Sequence, residues 1–259
     1  MRALVTGGAI RLGREISLYL GEQGFDVAVH YATSAEAARA TASEIEVIGQ
    51  KSVALQADLL DEAQSQSLVS RAVDALGGSL SLLVNNASIF EYDTIDTTTR
   101  SSWDRHMESN LRAPFVLTQE FAKQAPKYKL DKMSEPMAQA LVINMLDQRV
   151  RKLTPDFMSY TLAKMGLWAF TQTAARALAP NIRVNAIGPG PTVQGVRQSS
   201  QHFTRQRAET VLGRGSNPAD ITAALGYFLK APAITGQLLC VDGGQHLGWQ
   251  TPDVLGLDG

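Results

Sequence analysis

A tyrosine and a lysine four residues apart, Tyr160 and Lys164, form the pair in this sequence with the clearest capacity for acid catalysis. Side chains at this spacing lie on one face of an α-helix, so the two groups project together. An ammonium group beside a phenol favours the phenolate, which predicts a lowered pKa for Tyr160 and a role as proton donor near neutral pH. The spacing alone is equally typical of an exposed pair, and its position after the fifth predicted strand is what favours catalysis.

A glycine-rich turn, residues 6–13 (TGGAIRLG), separates the first predicted strand from the first predicted helix. Glycine lets the backbone turn sharply and approach a pyrophosphate, and the N-terminus of the helix offers free N–H groups to that anion. The glycine spacing differs from the common G-x-G-x-x-G pattern, so the inference depends on the position of the turn. The turn predicts a dinucleotide site that uses Gly7, Arg11, Leu12 and Gly13.

The end of the second predicted strand indicates which dinucleotide binds. Sites for NAD usually place a carboxylate there, on the ribose hydroxyls, whereas this chain has His30, Tyr31 and, shortly after, Ser34. A 2′-phosphate is repelled by a carboxylate and attracted by guanidinium and hydroxyl groups. These residues, together with Arg11, predict NADPH/NADP+ as the cofactor. In the alternative interpretation Arg11 is a solvated surface residue and His30 only ends a strand.

The elements that must position these residues follow from a regular alternation of short apolar runs and longer helical patterns. No linker interrupts this pattern, so residues 1–259 are predicted to form a single α/β domain, a Rossmann-type doubly wound parallel sheet of about seven strands with helices on both faces. The predicted strands cover 3–6, 26–31, 52–57, 81–85, 140–145, 182–187 and 237–241. The predicted helices cover 13–24, 34–49, 61–76, 101–125 and 156–179, with another beginning at Asn217 and Pro218.

Two segments lack a regular pattern. Residues 126–136 are rich in lysine and are predicted to form a surface excursion. Residues 188–216 are predicted to form a substrate lid, because loops of this length in compact domains often cover active sites. The lid contains several arginines, which either receive an anionic substrate tail or are only solvated. These arginines are Arg197, Arg205, Arg207 and Arg214.

Composition excludes several classes of protein. A net charge of -1 gives no indication of nucleic acid or an anionic membrane surface as a partner. No apolar run approaches the roughly 18 residues of a membrane helix, and the N-terminal apolar run is too short for a signal peptide. A cytoplasmic protein without a membrane partner is therefore predicted. The single cysteine, Cys240, cannot form an intramolecular disulfide, and the histidines lack metal-ligand spacing, so no metal site is predicted.

The motifs together resemble the short-chain dehydrogenase/reductase family along nearly the whole chain. They are the glycine-rich turn, Asn85-Asn86-Ala87, Asn110, the Tyr160/Lys164 pair, Pro189-Gly190 and Asp242-Gly243-Gly244, in the family's order and spacing. The resemblance implies that Tyr160 is the general acid, that Lys164 also holds the nicotinamide ribose, and that Asn110 positions a water in a proton relay. It also implies a homotetramer. Further cofactor contacts implied by the resemblance are Asp58, Leu59, Asn86, Ala87, Ser88, Pro189, Gly190 and Thr192.

One departure from the family pattern concerns the substrate. Family members usually have a serine 13 positions before the tyrosine, and this chain has Asp147 there. A hydroxyl can donate a hydrogen bond to a ketone oxygen, whereas an ionised carboxylate cannot. Asp147 therefore suits a substrate with ring nitrogens, and the departure resembles the pteridine reductase branch of the family. That branch implies Phe90 as the ring that stacks on the substrate, while the alternative for Phe90 is ordinary core packing.

These observations predict an NADPH-dependent reductase that transfers a hydride to a pterin-like heterocycle, such as a dihydropterin, dihydromonapterin or dihydrofolate. The predicted substrate residues are Phe90, Asp147 and Tyr160, with Tyr160 as the proton donor. A first alternative is a carbonyl reductase or alcohol dehydrogenase of the same family. A second alternative, from a different class, is a regulator that binds NADPH without turnover. Intact Tyr160 and Lys164 favour the enzyme.

Overall fold

A seven-stranded parallel sheet forms the centre of the computed structural model, which describes residues 1–195 and 198–249. The strands are β1 (Arg2–Val5), β2 (Asp26–Tyr31), β3 (Ser52–Gln56), β4 (Leu82–Asn85), β7 (Ala140–Met145), β8 (Ile182–Pro189) and β9 (Leu238–Val241). They lie in the order β3-β2-β1-β4-β7-β8-β9, and every neighbouring pair is parallel. The predicted Rossmann-type doubly wound sheet is therefore confirmed.

Helices cover both faces of the sheet, because the central strands β1, β4, β7 and β8 are buried on both sides. On one face the core includes Ile16, Ile45 and Phe228, and on the other it includes Leu68 and Phe121, all at most 1% exposed. The first face is covered by α1 (Arg11–Glu22), α2 (Ala35–Val47) and α8 (Pro218–Lys230). The second is covered by α3 (Glu62–Leu76), α5 (Ala113–Gln124) and α6 (Met158–Leu178).

The strand order reverses between β1 and β4. From β1 the chain moves outward to β2 and β3, and from β4 it moves outward in the opposite direction. In open parallel sheets this reversal leaves a crevice at the carboxyl ends of the two central strands, where ligands bind. The glycine-rich turn follows β1 and the 86–93 segment follows β4, so the topology places both at this crevice.

The predicted helix at 101–125 is interrupted. It consists of α4 (Arg100–Met107), a π-helical turn at Glu108–Arg112, and then α5. A π-turn inserts one residue into the helical ladder and is often found at functional sites. Here the turn contains Asn110. Ser34 stands at the predicted N-cap of α2, but its hydroxyl makes no capping hydrogen bond.

The two irregular segments contain more structure than predicted. Within 126–136 the chain forms a short exposed hairpin of β5 (Lys129–Leu130) and β6 (Pro136–Met137), which agrees with a surface excursion. Within 188–216 the helix α7 (Ser200–Ala208) replaces the expected loop. The predicted Arg197, and the tail after Trp249, lie outside the described residues. Within 1–195 and 198–249 no helix has both the length and the apolarity to cross a membrane.

Candidate active site

A cleft of about 630 Å³ lies at the carboxyl ends of β1, β2 and β4. Its volume falls within the range typical of small-molecule sites. Most of the residues that the sequence predicts for the cofactor line it. They are Gly7, Arg11, Leu12, Gly13, His30, Tyr31, Ser34, Asp58, Leu59, Asn86, Ala87 and Ser88. Tyr160, Lys164, Pro189, Gly190 and Thr192 are not among its lining residues.

The glycine-rich turn is packed so closely that a side chain cannot be added at two of its positions. A Cβ atom on Gly13 would lie 1.9 Å from the carbonyl oxygen of Gly7 and 2.7 Å from Nδ2 of Asn86. Gly7 itself has φ +59°, a left-handed conformation that favours glycine. Asn86 Nδ2 donates to the carbonyl oxygens of Thr6 (2.9 Å) and Gly7 (3.2 Å), which fixes the turn against the end of β4.

One hydroxyl joins the segments that follow β1 and β4. Oγ1 of Thr6 accepts hydrogen bonds from the backbone N–H groups of Asn86 (2.9 Å) and Ala87 (3.0 Å). The same hydroxyl donates to the carbonyl oxygen of Val84 at 3.3 Å. Thr6 is 1% exposed, so these hydrogen bonds do not compete with water. The two sides of the cleft are therefore held together by the Thr6 side chain.

His30 supports the turn as a neutral imidazole. Its Nδ1 accepts from the backbone N–H of Gly7 at 3.0 Å, so Nε2 carries the proton and donates to the carbonyl oxygen of Ala57 at 3.0 Å. Burial lowers the pKa of His30 to about 4. The imidazole therefore supplies no positive charge for a 2′-phosphate at neutral pH.

Arginines supply the positive charge in the cleft. Arg11 has φ +52°, and its Nη2 donates to the carbonyl oxygens of Val193 (3.3 Å) and Gln194 (3.0 Å) in the lid. Arg105, which the sequence analysis did not select, also lines the cleft and forms an ion pair with Glu91 at 2.9 Å. The predicted Arg11 thus connects the glycine-rich turn to the lid.

Tyr160, Asp147 and Lys164 meet at the carboxyl end of β7. The phenol Oη of Tyr160 donates to Oδ2 of Asp147 at 3.0 Å, and Oδ1 of Asp147 accepts from the backbone N–H of Arg149 at 2.8 Å. Nζ of Lys164 donates to the carbonyl oxygen of Met145 at 2.8 Å and lies 5.6 Å from the centre of the Tyr160 ring. Tyr160 and Lys164 are 5% and 2% exposed.

The predicted direction of the Tyr160 pKa shift is wrong in this structure. Burial and the neighbouring Asp147 carboxylate raise the pKa of Tyr160 well above its ordinary value, because both oppose the phenolate. Arg149 and the hydroxyl of Ser88 act in the opposite direction with smaller effect. Burial also lowers the pKa of Lys164 to about 8, although Asp147 favours its ammonium form.

Asn110 makes its side-chain contacts with the segment after β4. Its Nδ2 donates to the carbonyl oxygen of Ile89 at 2.8 Å, and its Oδ1 accepts from the backbone N–H of Ile89 at 2.9 Å. The N–H and C=O groups of Ile89 are thus both bound by the fully buried side chain of Asn110. The structure places Asn110 beside Phe90 in this way, while the predicted relay water stays an expectation.

Aromatic rings form one side of the site. Phe90 is 53% exposed and stacks on Phe157, with ring centres 4.2 Å apart and an interplanar angle of 7°. The edge contact between Phe90 and Tyr160 has a centre separation of 4.7 Å. The guanidinium carbon of Arg149 lies 5.0 Å from the Phe157 ring centre. Phe90 is therefore not a buried core residue.

The last predicted cofactor residues lie at the end of β8. The backbone N–H of Gly190 donates to the carbonyl oxygen of Val241 at 3.0 Å, and a Cβ on Gly190 would lie 2.6 Å from Cβ of Asp242. Pro189 ends β8, and the hydroxyl of Thr192 bonds to Ser216 and to the carbonyl oxygen of Gly190. These contacts fix the beginning of the lid.

The described lid arginines already have partners within the protein. Arg205 pairs with Glu209, and Arg214 pairs with Asp220. Arg207 donates to the carbonyl oxygens of Pro191, Gly215 and Ser216 and to Oδ1 of Asn217. The guanidinium of Arg207 therefore binds the two ends of the lid to each other.

Comparison with known proteins identifies the family. Residues 8–246 match the family model described as enoyl-(acyl carrier protein) reductase. The chain is also 32% identical over 250 residues to 3-oxoacyl-(acyl-carrier-protein) reductase FabG of Staphylococcus aureus strain Mu50, covering 95% of this chain and 98% of the relative. The chain belongs to the short-chain dehydrogenase/reductase family. The expected family and the expected oxidoreductase class are thereby confirmed.

Solved structures of other short-chain dehydrogenases/reductases superpose on this one. FolM alternative dihydrofolate reductase 1 from Brucella suis, in complex with NADP, has a TM-score of 0.90 at 42% identity and covers 98% of each chain. The angucycline C-6 ketoreductase LanV with bound NADP has a TM-score of 0.85 at 29% identity, covering 95% of this chain and 96% of its own.

Several residues of this short-chain dehydrogenase/reductase site were missed by the sequence analysis. Phe157 lies three residues before Tyr160, and Arg149 lies two residues after Asp147, so their proximity to predicted site residues was an available signal. Arg105 gave no such signal, because its place in the cleft depends on how α4 packs. In the described part of the chain no three His, Cys, Asp or Glu side chains converge to hold a metal ion.

Proposed function

We propose that this protein is an NADPH-dependent reductase that transfers a hydride to a pterin-like heterocycle, such as a dihydropterin, dihydromonapterin or dihydrofolate. The observation that carries the proposal is the 3.0 Å contact between the phenol of Tyr160 and the carboxylate of Asp147. A carboxylate accepts hydrogen bonds from the amino and N–H groups of such a ring, and it cannot donate one to a ketone oxygen. The small-molecule partner is thus inferred from the chemistry of Asp147.

The residues present fit NADPH. Gly13 lets the beginning of α1 pack directly against the glycine-rich turn, since a Cβ there would lie 1.9 Å from the Gly7 oxygen. The first residues of α1 line the cleft, where the N-terminus of a helix offers backbone N–H groups and the positive end of the helix dipole to a phosphate. At the end of β2 the chain has Tyr31 and Ser34 without a carboxylate, and Arg11 lines the same cleft. These features support a nucleotide with a 2′-phosphate.

The chain's own residues would then perform the following tasks. When bound, NADPH supplies the hydride. Phe90, which is 53% exposed, offers an aromatic ring against which a flat heterocycle can pack, and Asp147 orients the heterocycle through its N–H groups. Tyr160 gives up its phenol proton to the substrate as negative charge develops there. The ammonium of Lys164, 5.6 Å from the ring centre, stabilises the phenolate that remains.

The relatives support two substrate classes. The FolM structure supports the reduction of a pterin ring, because its similarity to this chain extends over 98% of both proteins at 42% identity. FabG and LanV support the alternative, a carbonyl reductase, with identities of 32% and 29%. The Asp147 carboxylate favours the pterin.

Stopped-flow NADPH oxidation tests the proposal. Dihydrobiopterin, dihydromonapterin and dihydrofolate are compared with simple ketones and a 3-oxoacyl thioester under the same conditions. We expect at least one pterin to be reduced with the highest kcat/KM. The matched control is Tyr160→Phe, which should lose about 10² to 10⁴ in kcat while it still binds NADPH. Reduction of the carbonyl compounds alone would overturn the pterin assignment.

We further infer a homotetramer, as the family resemblance implies. Val116 and Leu117 pack within the protein's own core at 2% and 0% exposure, so they do not contribute to such an interface. Phe115 and Phe170, with ring centres 5.0 Å apart, are only partly buried and are the candidates for it. Sedimentation-equilibrium measurement of the mass tests this inference, and a monomer at all concentrations would contradict it.

A further inference from the structure

Three buried polar side chains form a connected network beside the candidate site. Nδ1 of His106 lies 2.7 Å from Oγ of Ser159, and that hydroxyl donates to Oδ2 of Asp93. Oδ1 of Asp93 accepts from the backbone N–H of Ser159 at 3.2 Å. His106 and Ser159 are 0% exposed and Asp93 is 1% exposed. The proposed hydride transfer gives none of these residues a role.

The direction of every hydrogen bond in the network can be assigned. The backbone N–H of Glu91 points to Nε2 of His106 at 3.1 Å, so Nε2 must be the unprotonated acceptor. In the neutral ring the proton is then on Nδ1, which donates to Ser159, and Ser159 donates to Asp93. A positively charged His106 could not accept from Glu91. The network is therefore complete only with a neutral imidazole.

The residue types are those of a hydrolytic triad, but the arrangement excludes one. In a triad the histidine lies between the serine and the carboxylate and takes the serine proton. Here the serine lies in the middle and donates its hydrogen bond to Asp93. A hydroxyl with no exposed surface cannot reach a substrate. The network must act through the segments that it connects.

Those segments carry Phe90 and Tyr160, the two aromatic residues that the proposed function assigns to the substrate. Phe90 stands between Ile89 and Glu91. The side chain of Asn110 binds the N–H and C=O groups of Ile89, and His106 accepts from the N–H of Glu91. Tyr160 follows Ser159 directly at the beginning of α6. His106 is therefore linked through one ring nitrogen to the segment of Phe90 and through the other to the segment of Tyr160.

We propose that His106, together with Ser159 and Asp93, is a positioning residue that sets the contact between the Phe90 ring and the Tyr160 phenol, and thereby the placement of both side chains against the flat substrate. This inference rests on the proposed function for the identity of the substrate. The separation concerned is the 4.7 Å between the two ring centres.

Three substitutions of His106 separate positioning from simple core filling. In His106→Gln the side-chain amide can reach the place of Nε2 and accept from the Glu91 N–H, while in His106→Asn it can reach only the place of Nδ1. His106→Phe fills the volume and removes both hydrogen bonds. We expect kcat/KM for the dihydropterin to fall about tenfold or more in the Asn and Phe variants and to stay within about threefold in the Gln variant. The KM for NADPH should change by less than about twofold in all three.

A matched control shows what loss of stability alone does. Gln124 binds the backbone of Leu80 just before β4, at the opposite end of the strands from the site, through hydrogen bonds of 2.7 Å and 3.3 Å. Gln124→Leu should lower Tm without altering the KM for the dihydropterin. Equal losses of kcat/KM in the Gln, Asn and Phe variants of His106, or no loss in any of them, would overturn the proposal.

Crystal structures of the His106 variants give a second readout that needs no turnover. The Phe90–Tyr160 separation should be retained in His106→Gln and should lengthen in His106→Asn and His106→Phe. If the wild-type protein reduces no pterin, the proposed function fails, and these structures still decide the positioning role. An unchanged separation in all three variants would overturn it.

Discussion

The phenol of Tyr160 donates a hydrogen bond of 3.0 Å to the carboxylate of Asp147, which stands where family members usually have a serine. Because this carboxylate raises the pKa of Tyr160, removing its charge should lower that pKa towards the ordinary value for tyrosine. We predict this for Asp147→Asn, measured by ultraviolet difference titration of the phenolate. Tyr160→Phe identifies which part of the signal belongs to Tyr160. An unchanged midpoint in Asp147→Asn would show that burial alone sets the pKa.

The same position should control substrate class. Asp147→Ser replaces an acceptor with a hydroxyl that can donate to a ketone oxygen. We expect kcat/KM for the dihydropterin to fall about 100-fold and that for simple ketones to rise, because specificity is the difference between two affinities. The assay is NADPH oxidation with both substrate classes. A parallel fall with both classes would mean that Asp147 supports the fold of the site and does not select the substrate.

Lys164 should make the protein less stable than it would be with an apolar residue. The pKa of Lys164 falls from 10.5 to about 8 on folding, so the unfolded chain binds more protons between these values. At pH 7 burying the Lys164 ammonium lowers the free energy of unfolding by the full amount of the pKa shift, about 3 kcal/mol. The hydrogen bond to Met145 offsets about 1 kcal/mol of this loss. Lys164→Met should therefore raise the free energy of unfolding by about 2 kcal/mol at pH 7 while it abolishes turnover.

The pH dependence of the free energy of unfolding shows whether the buried charge of Lys164 is the cause of the lower stability. The stability of the wild-type protein should rise from pH 8 towards 10.5 as the penalty on Lys164 is relieved, and the advantage of Lys164→Met should shrink over the same range. Urea titrations at several pH values measure both. The control is Lys123→Met, an exposed lysine that pairs with Glu120 and should show no such trend. A Lys164→Met protein that is less stable at pH 7 would contradict the prediction.

Arg11 should contribute to nucleotide binding at a cost in backbone energy. Its φ of +52° is the left-handed region that glycine adopts freely, so Arg11→Gly relieves about 1 kcal/mol of strain and should not lower Tm. The Kd for NADPH should rise about tenfold, with a smaller change for NADH, because the guanidinium is lost. Nucleotide fluorescence titration measures both. Arg14→Met is the control, since Arg14 pairs with Glu44. Equal effects on both nucleotides would argue against a 2′-phosphate contact.

Phe90 should affect the substrate more than the nucleotide. Its ring is 53% exposed, so Phe90→Leu removes a stacking surface without opening a cavity in the core. We expect the KM for the dihydropterin to rise about tenfold while the KM for NADPH is retained, because stacking is worth about 1 kcal/mol. Phe90→Tyr keeps the ring and should behave like the wild-type protein. An identical KM for the dihydropterin in Phe90→Leu, Phe90→Tyr and the wild-type protein would contradict this role.

Sequence reasoning was most successful where the physical signal is local. Buried parallel strands are short apolar runs, and the pair at 160 and 164 shares a helix face whatever surrounds it. The His106–Ser159 contact spans 53 residues and the Ser159–Asp93 contact spans 66, and no spacing rule indicates which buried polar groups meet at such distances. The Tyr160 pKa was predicted in the wrong direction because it depends on burial and on how closely Asp147 approaches, and both are properties of the packed structure.

The Thr6 hydroxyl has a consequence for how two ligands affect each other. Thr6 is the first residue of the glycine-rich turn, and its hydroxyl bonds to Val84 at the end of β4 and to Asn86 and Ala87 in the segment that leads to Phe90. A ligand that displaces one segment must displace the other or break these hydrogen bonds. If one ligand moves the glycine-rich turn and another moves the segment after β4, their binding is coupled through Thr6, and the factor by which the first alters affinity for the second applies equally in reverse.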